Sequence, residues 1–315
     1  MPYQISVPDA ASLITDQADT TAGFIKMALE RSRRATPHVQ EARALQAAAA
    51  ALPTVRQLLA EPALQSALLT AAGVSDKANK YFTAADRQRA VTEFVDSYLA
   101  PTRDYPEELA LRFLLTRGDQ LGGVMRNVAG VLGEEQLLRA LLAALRLRQA
   151  SVQRLTNKAG PWEPITTVIS EPERGTRALA WEVGGHARVL LLNQTVPAVN
   201  KNIDLVLLAA DVREVLAPAD RKAVLAEPTR YVAFGELKGG VDPSGSDEHW
   251  KTAQTAFDRI RAVFADAPVF FVGGAIVSSM AQEIWTDLQA GKIRHAANLT
   301  HDTQVAALAD WLVSL

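Results

Sequence analysis

The chain has 315 residues, a formal net charge of −2, 48% hydrophobic residues and 22% charged ones, a balance expected of a soluble globular protein with room for two domains. It contains no cysteine, which excludes disulfides, thiolate zinc sites and cysteine nucleophiles. No apolar run reaches transmembrane length, and Met1-Pro-Tyr-Gln-Ile-Ser-Val-Pro8 lacks the basic start and apolar middle of a signal peptide, so a cytoplasmic location with no membrane partner is expected.

The first half reads as helical. Alanine-rich stretches at 40–59 and 134–150 favour helix by propensity, and Leu137, Leu138, Leu141, Leu142 and Leu145 recur at helical spacing. Pro53, Pro62, Pro101 and Pro106 are expected to divide the run into helices with short connections. Gly118, Gly122 and Gly123 suit either a backbone approach to a phosphate, with Arg126 the best contact, or a helix–loop–helix packing point. Arg31-Ser-Arg-Arg34 and the scatter of Arg139, Arg146, Arg148, Arg154 and Lys158 read as solvated helix faces or as local basic surface for a polyanion. Net charge does not choose between them.

After about residue 153 the pattern becomes strand-like. Residues 177–183, Gly184-Gly185 and residues 187–193 predict a hairpin; 203–209 and 231–238 predict buried strands. A helix follows over 247–265 with Ser246 as N-cap, then a strand at 269–272 and a helix at 279–289. This order predicts an α/β layer on a mixed sheet, with a helical domain at 1–152, whose N-terminal part packs on the core, and the α/β domain at 153–315.

Alternation along 231–238 projects Glu236 and Lys238 from one face, just ahead of Gly239-Gly240. Asp204 begins the preceding apolar strand and meets Glu236 if the two strands are neighbours. Asp204, Glu236 and the Leu237 carbonyl are then oxygen ligands suited to Mg²⁺, with Lys238 lowering the pKa of an attacking water or stabilising a phosphoryl transition state. The bland alternative is an ion pair at a strand end. His249, in the first turn of the next helix, is either a neutral base or a surface histidine bonded to Asp247. Glu182 adds an acid only if its strand adjoins that of Asp204.

The block Glu236-Leu-Lys-Gly-Gly-Val-Asp-Pro-Ser-Gly-Ser-Asp-Glu-His-Trp-Lys-Thr-Ala253 resembles the active-site segment of the AvaI/BsoBI group of type II restriction endonucleases, within the PD-(D/E)xK superfamily. Asn202-Ile-Asp204 is similar to its upstream acidic element, with Ile203 in place of proline, and Arg117-Gly-Asp-Gln-Leu-Gly-Gly-Val-Met-Arg-Asn127 resembles a further shared segment. The resemblance implies a PD-(D/E)xK core with an added all-helical domain, and a Mg²⁺-dependent enzyme. Asp204 and Glu236 become metal ligands, Lys238 the catalytic lysine and His249 a candidate general base. Asp242 and Lys77, with Lys80 as rival, become base-reading residues; apart from the resemblance, Arg126 and Arg34 are candidate backbone contacts by their charge. It also implies a homodimer around duplex DNA that cuts the palindrome CYCGRG to leave 5′ extensions, and a cognate methyltransferase that makes no direct contact. A structure-directed or repair nuclease of the same fold, or a non-cleaving DNA-binding module, remain the alternatives.

Overall fold

The structure is a computed structural model that describes residues 2–166 and 169–315; the side chain of Arg126, the candidate backbone contact, lies outside the described residues. An eight-stranded mixed sheet organises the C-terminal half. Its strands are β1 (Val152–Leu155), β2 (Glu163–Pro164), β3 (Ala178–Val183), β4 (His186–Val196), β5 (Lys201–Leu208), β6 (Tyr231–Lys238), β7 (Val269–Gly273) and β8 (His295–Asn298), in the spatial order β2-β1-β3-β4-β5-β6-β7-β8. Pairing is antiparallel as far as β6 and parallel from β6 to β7 and β8. Gly184 and Gly185, at φ 59° and 78°, make the tight β3–β4 turn that the sequence predicts, a backbone only glycine adopts freely. Strand β8, with only four residues of which two are alanine, gave no strand signal in the sequence.

Chain alternation sorts the sheet's two faces. Val206, Leu208, Phe234 and Phe271 pack with Trp250, Phe257 and Ile260 of helix α7 (Ser246–Val263) and with Met280 and Ile284 of helix α8 (Ser278–Gln289). Leu205, Leu207, Ala233 and Phe270 face the opposite way, against the predicted leucine stripe Leu137, Leu138, Leu141 and Leu145 and against Leu308 and Leu312 of the C-terminal helix α9 (Asp302–Ser314). The connection from β5 to β6, unpatterned in sequence, holds helix α6 (Pro218–Leu225) between two 3-10 turns. Ser246 is not the N-cap of α7 but its first residue: Gly245 holds the cap position, and the Ser246 hydroxyl donates to the Pro243 carbonyl at 2.7 Å.

Among the described residues five α-helices precede the sheet: α1 (Gln17–Ala50), α2 (Gln65–Ala71), α3 (Asp76–Asn79), α4 (Ala84–Phe94) and α5 (Tyr105–Leu147). Two are much longer than expected. Pro37 lies inside α1, and Gly118, Gly122 and Gly123 lie inside α5, with nothing within 4 Å of where a Cβ would stand. Those glycines are therefore neither a loop nor a packing point. Each costs a helix only about 1 kcal/mol, which a 43-residue helix absorbs.

Contacts divide the chain into Met1–Phe24 with Ala129–Leu315, and Ile25–Val128. The composition change near residue 153 does not coincide with this division, because the leucine stripe of α5 packs on the sheet. The N-terminal residues are tied to the sheet as well: buried Asn298 donates to the Leu13 carbonyl and the Thr15 hydroxyl, both at 2.9 Å. Within Ile25–Val128 all regular structure is helical. Leu45, Leu58, Leu68, Phe94, Leu99, Leu109 and Phe113 form its own core, and the Tyr105 hydroxyl donates to the Ala49 and Leu52 carbonyls.

Candidate active site

Antiparallel pairing sets the start of β5 beside the end of β6: Leu205 faces Gly235, one residue inside the carboxylates. Asp204 shares the parity of Val206 and Leu208, and Glu236 and Lys238 that of Phe234, so alternation aims all three to the α7 side. There they meet. The Lys238 ammonium donates to Asp204 Oδ2 at 2.8 Å and to Glu236 Oε2 at 2.7 Å, and the Leu237 N–H donates to the same Asp204 oxygen at 3.0 Å. Glu236 is 3% exposed, Lys238 18% and Asp204 22%, so the cluster opens to solvent on the aspartate and lysine side.

Burial, then repulsion from Asp204, pushes the Glu236 carboxyl up to about 7 in spite of Lys238. Burial alone would lower the Lys238 ammonium; the two carboxylates more than offset it and the net shift is upward. Glu236 Oε1 is buried without a hydrogen-bond partner. An orphaned carboxylate oxygen beside a second carboxylate is a donor set that fits a hard divalent cation, which prefers oxygen and keeps part of its water shell. Among the described residues no three acidic or imidazole groups converge tightly enough to ligate one ion, so a cation held here would have two carboxylates and would complete its shell from backbone and water.

The loop after Lys238 is moulded by close packing. A Cβ on Gly239 would stand 2.4 Å from the Ala129 carbonyl oxygen, and one on Gly133 would stand 3.0 Å from the Gly239 Cα. Helix α5 thus touches the end of β6 backbone to backbone. His249, exposed in the first turn of α7, lies against this loop, with Nε2 within 3.6 Å of a Cβ placed on Gly240 and 3.5 Å of one on Gly245. Its expected alternative partner, Asp247, is instead paired with Lys251. Asp242 is exposed in the same loop, where its carboxylate accepts from the Ser244 N–H and hydroxyl; those bonds, with a smaller contribution from His249, hold its pKa below the usual range.

The remaining candidates lie in the helical unit. Lys77 is in α3, capped by the Ser75 hydroxyl, and Lys80 follows it; both are exposed. Arg34 is not a free cation: its Nε donates to Glu30 at 2.6 Å, and the bond from Arg33 followed by that from Arg34 pulls the Glu30 carboxyl down to about 2. Glu182 is ruled out as a neighbour of Asp204, since β4 separates β3 from β5.

Two residues near the cluster had no signal in the sequence. Glu134, on α5 next to Gly133, has its carboxyl raised by burial, with Asp204 adding repulsion and Asn193 and Arg177 opposing it. Asn193 on β4 donates to Glu134 Oε1 at 2.7 Å. Helix and strand are far apart in sequence, and the packing of α5 on the sheet brings them together.

The model of the family described as restriction endonuclease BsobI matches residues 3–315. The chain belongs to this restriction endonuclease family. It is 41% identical to the type II restriction enzyme AvaI of Nostoc sp. (strain PCC 7120 / SAG 25.82 / UTEX 2576) and to that of Anabaena variabilis, over the full length of both chains. It is 38% identical to the type II restriction enzyme BsoBI of Geobacillus stearothermophilus, over all of this chain and 98% of that one. Among the described residues no helix is long and apolar enough to cross a membrane. The Asp204, Glu236 and Lys238 cluster is accordingly the candidate hydrolytic centre of a restriction endonuclease.

Proposed function

We propose that this chain hydrolyses double-stranded DNA at the degenerate palindrome CYCGRG, leaving 5′ extensions, with Mg²⁺ as cofactor. The observation that carries the reading is the meeting of Asp204, Glu236 and Lys238 around a buried, unpartnered carboxylate oxygen, in a chain of this family. Asp204, Glu236 and the Leu237 carbonyl would hold the ion, which when bound supplies positive charge to offset that developing on the scissile phosphate. Lys238 presents an ammonium to the same phosphate and replaces the carboxylate contacts it makes in the DNA-free protein with contacts to substrate oxygens. His249, exposed in the first turn of α7 against the loop that follows Lys238, accepts the proton of the attacking water. The products carry 5′-phosphate and 3′-hydroxyl ends.

A polyanionic substrate also accords with the charge of the same sheet face. A cavity of about 330 Å³ between β3, β4 and α6 is edged by Lys158, Arg177, Arg221 and Lys222, with no carboxylate in its lining. Asp242 and Lys77, or Lys80 in its place, read base edges, while Arg126 and Arg34 contact the backbone; Arg34 must first release Glu30. The helical unit embraces the duplex. A palindrome demands two-fold symmetry, so the working form is a homodimer, and a separate methyltransferase protects the host site. Digestion of a plasmid of known sequence, followed by sequencing of fragment ends, tests the proposal. Discrete fragments ending within CYCGRG, formed with Mg²⁺ and abolished by EDTA, are expected; a smear, cleavage at another sequence or EDTA-resistant cleavage would refute it.

A further inference from the structure

Asn193 faces Asp204 across the β4–β5 ladder. The pairs Leu192↔Leu205 and Gln194↔Ile203 bracket this position, and regular pairing is interrupted at Asn193 and Asp204 alone between Val189 and Val196. The cause lies in the backbone. Asn193 has φ 51°, and of the three non-glycine residues in the left-handed region among the described residues it is the one inside a strand; Gln149 and Asn200 lie in turns. Asparagine tolerates this conformation better than most residues, yet a strand interior does not ask for it. Strain of this kind persists where the surroundings over-determine it.

The surroundings do so from both sides. The Asn193 side chain donates to Glu134 Oε1 at 2.7 Å, and its carbonyl accepts from the Lys158 ammonium at 3.1 Å. Glu134 is held from its neighbour, because Gly133 packs tightly against Gly239, Leu237 and Leu299, where a Cβ would stand 3.0–3.2 Å from them. The helix that touches the catalytic strand therefore also grips the strand on the far side of Asp204. A turned-away β4 backbone leaves the Asp204 carboxylate pointing at Lys238 and the Leu237 N–H.

We propose that Glu134 and Asn193 are a positioning pair for Asp204: Glu134 anchors the Asn193 side chain, and Asn193 keeps β4 in the left-handed turn that presents the aspartate to Lys238 and to the cation. The pair acts by hydrogen bonding, and neither member ligates the ion. This rests on the reading of Asp204 as a metal ligand, so the test separates the two.

The full-length variants E134A, E134Q, N193G and D204N are compared with wild type in two readouts: kcat and KM on a plasmid carrying one mapped site, and Mn²⁺ affinity of the DNA-free protein by electron paramagnetic resonance. E134A removes the acceptor, whereas E134Q keeps one; N193G keeps access to the left-handed backbone but loses the side chain. E134A and N193G should each lower kcat and weaken Mn²⁺ binding by about 10-fold or more, the range seen when partners of metal ligands are removed, with KM unchanged. E134Q should restore values close to wild type in both readouts. If E134A fails to fold, N193G carries the same test. Wild-type kcat and Mn²⁺ affinity in E134A or N193G would overturn the proposal, and so would E134Q as defective as E134A, since that result assigns the role to charge. D204N reports separately on the underlying reading: loss of Mn²⁺ binding and cleavage is expected, and retention of both leaves nothing to position.

Discussion

Glu236 carries the sharpest energetic prediction, because the feature that suits it to a cation makes it a burden without one. Its carboxyl rises from 4.5 to about 7 on folding, burial being the first cause and Asp204 the second. A carboxyl raised in the folded state favours folding below its unfolded value, and that advantage is lost as pH climbs through the folded one. At roughly 1.4 kcal/mol per pH unit, the raised Glu236 carboxyl costs folding about 3 kcal/mol at pH 8.5, where it is ionised, and about 1 kcal/mol at pH 5, where the folded protein must hold it protonated. E236Q keeps the shape of the protonated acid and drops the titration. In EDTA the variant should therefore be more stable than wild type by about 3 kcal/mol at pH 8.5, an increase of several degrees in Tm, and by about 1 kcal/mol at pH 5. Thermal unfolding of both proteins from pH 5 to 8.5 measures the difference. Mg²⁺ should then reverse the ranking in part, raising wild type by about 1.4 kcal/mol at ten times its Kd and leaving E236Q where it was. An E236Q protein no more stable than wild type at pH 8.5 would mean that the Lys238 ammonium outweighs burial, and the account of a strained, cation-seeking carboxylate would fail.

E236A and K238A should each abolish plasmid cleavage while a mobility-shift assay in EDTA still detects DNA binding; wild-type cutting by either would discard the proposed chemistry. H249A should lose activity by about 10²-fold or more and flatten the pH–rate profile, since a proton acceptor is removed; an unchanged profile would leave the ring as packing over the Gly240–Gly245 loop. G239A should destabilise the protein by about 1–3 kcal/mol, because the new methyl meets the Ala129 carbonyl oxygen at 2.4 Å and neither backbone can easily yield. Equal denaturation midpoints for G239A and wild type would show that α5 does not press on the catalytic strand.

The part of the site legible in sequence was the part built on one strand. Alternation is enough to put Glu236 and Lys238 on one face, and the glycines after them mark the strand end. Asp204 was legible as a candidate, since an acid opening an apolar strand is conspicuous, but its place beside Glu236 needed the antiparallel pairing of β5 with β6. Glu134 was invisible because its relation to the site runs through a helix surface and two glycines. Local signals also misplaced one break: Gly118, Gly122 and Gly123 read as a possible loop, yet the long helix α5 runs through them and absorbs a few kcal/mol of unfavourable propensity. Arg34 looked available for DNA until Glu30, one turn earlier, was seen to hold it.

The sheet's change of direction explains why the site forms at β6. An antiparallel neighbour brings the start of one strand to the end of another, which is how Asp204 reaches Glu236 across 31 intervening positions of sequence. A parallel neighbour on the other side obliges the chain to leave β6 through a crossover, and α7 supplies it. The end of β6 is therefore at once next to an acid from β5 and followed by a helix start, with Asp242 on the loop between and His249 on the first turn of α7. Two like charges gathered this way repel, and folding tolerates them because the apolar faces on either side of β5 and β6 are already committed to α5 and α7. Lys238, from the same strand, is the counter-charge that the alternation of β6 delivers without a further element. The restriction endonuclease's charge cluster is thus held by core packing against its own electrostatics, and a divalent cation is the ligand that relieves both carboxylates at once.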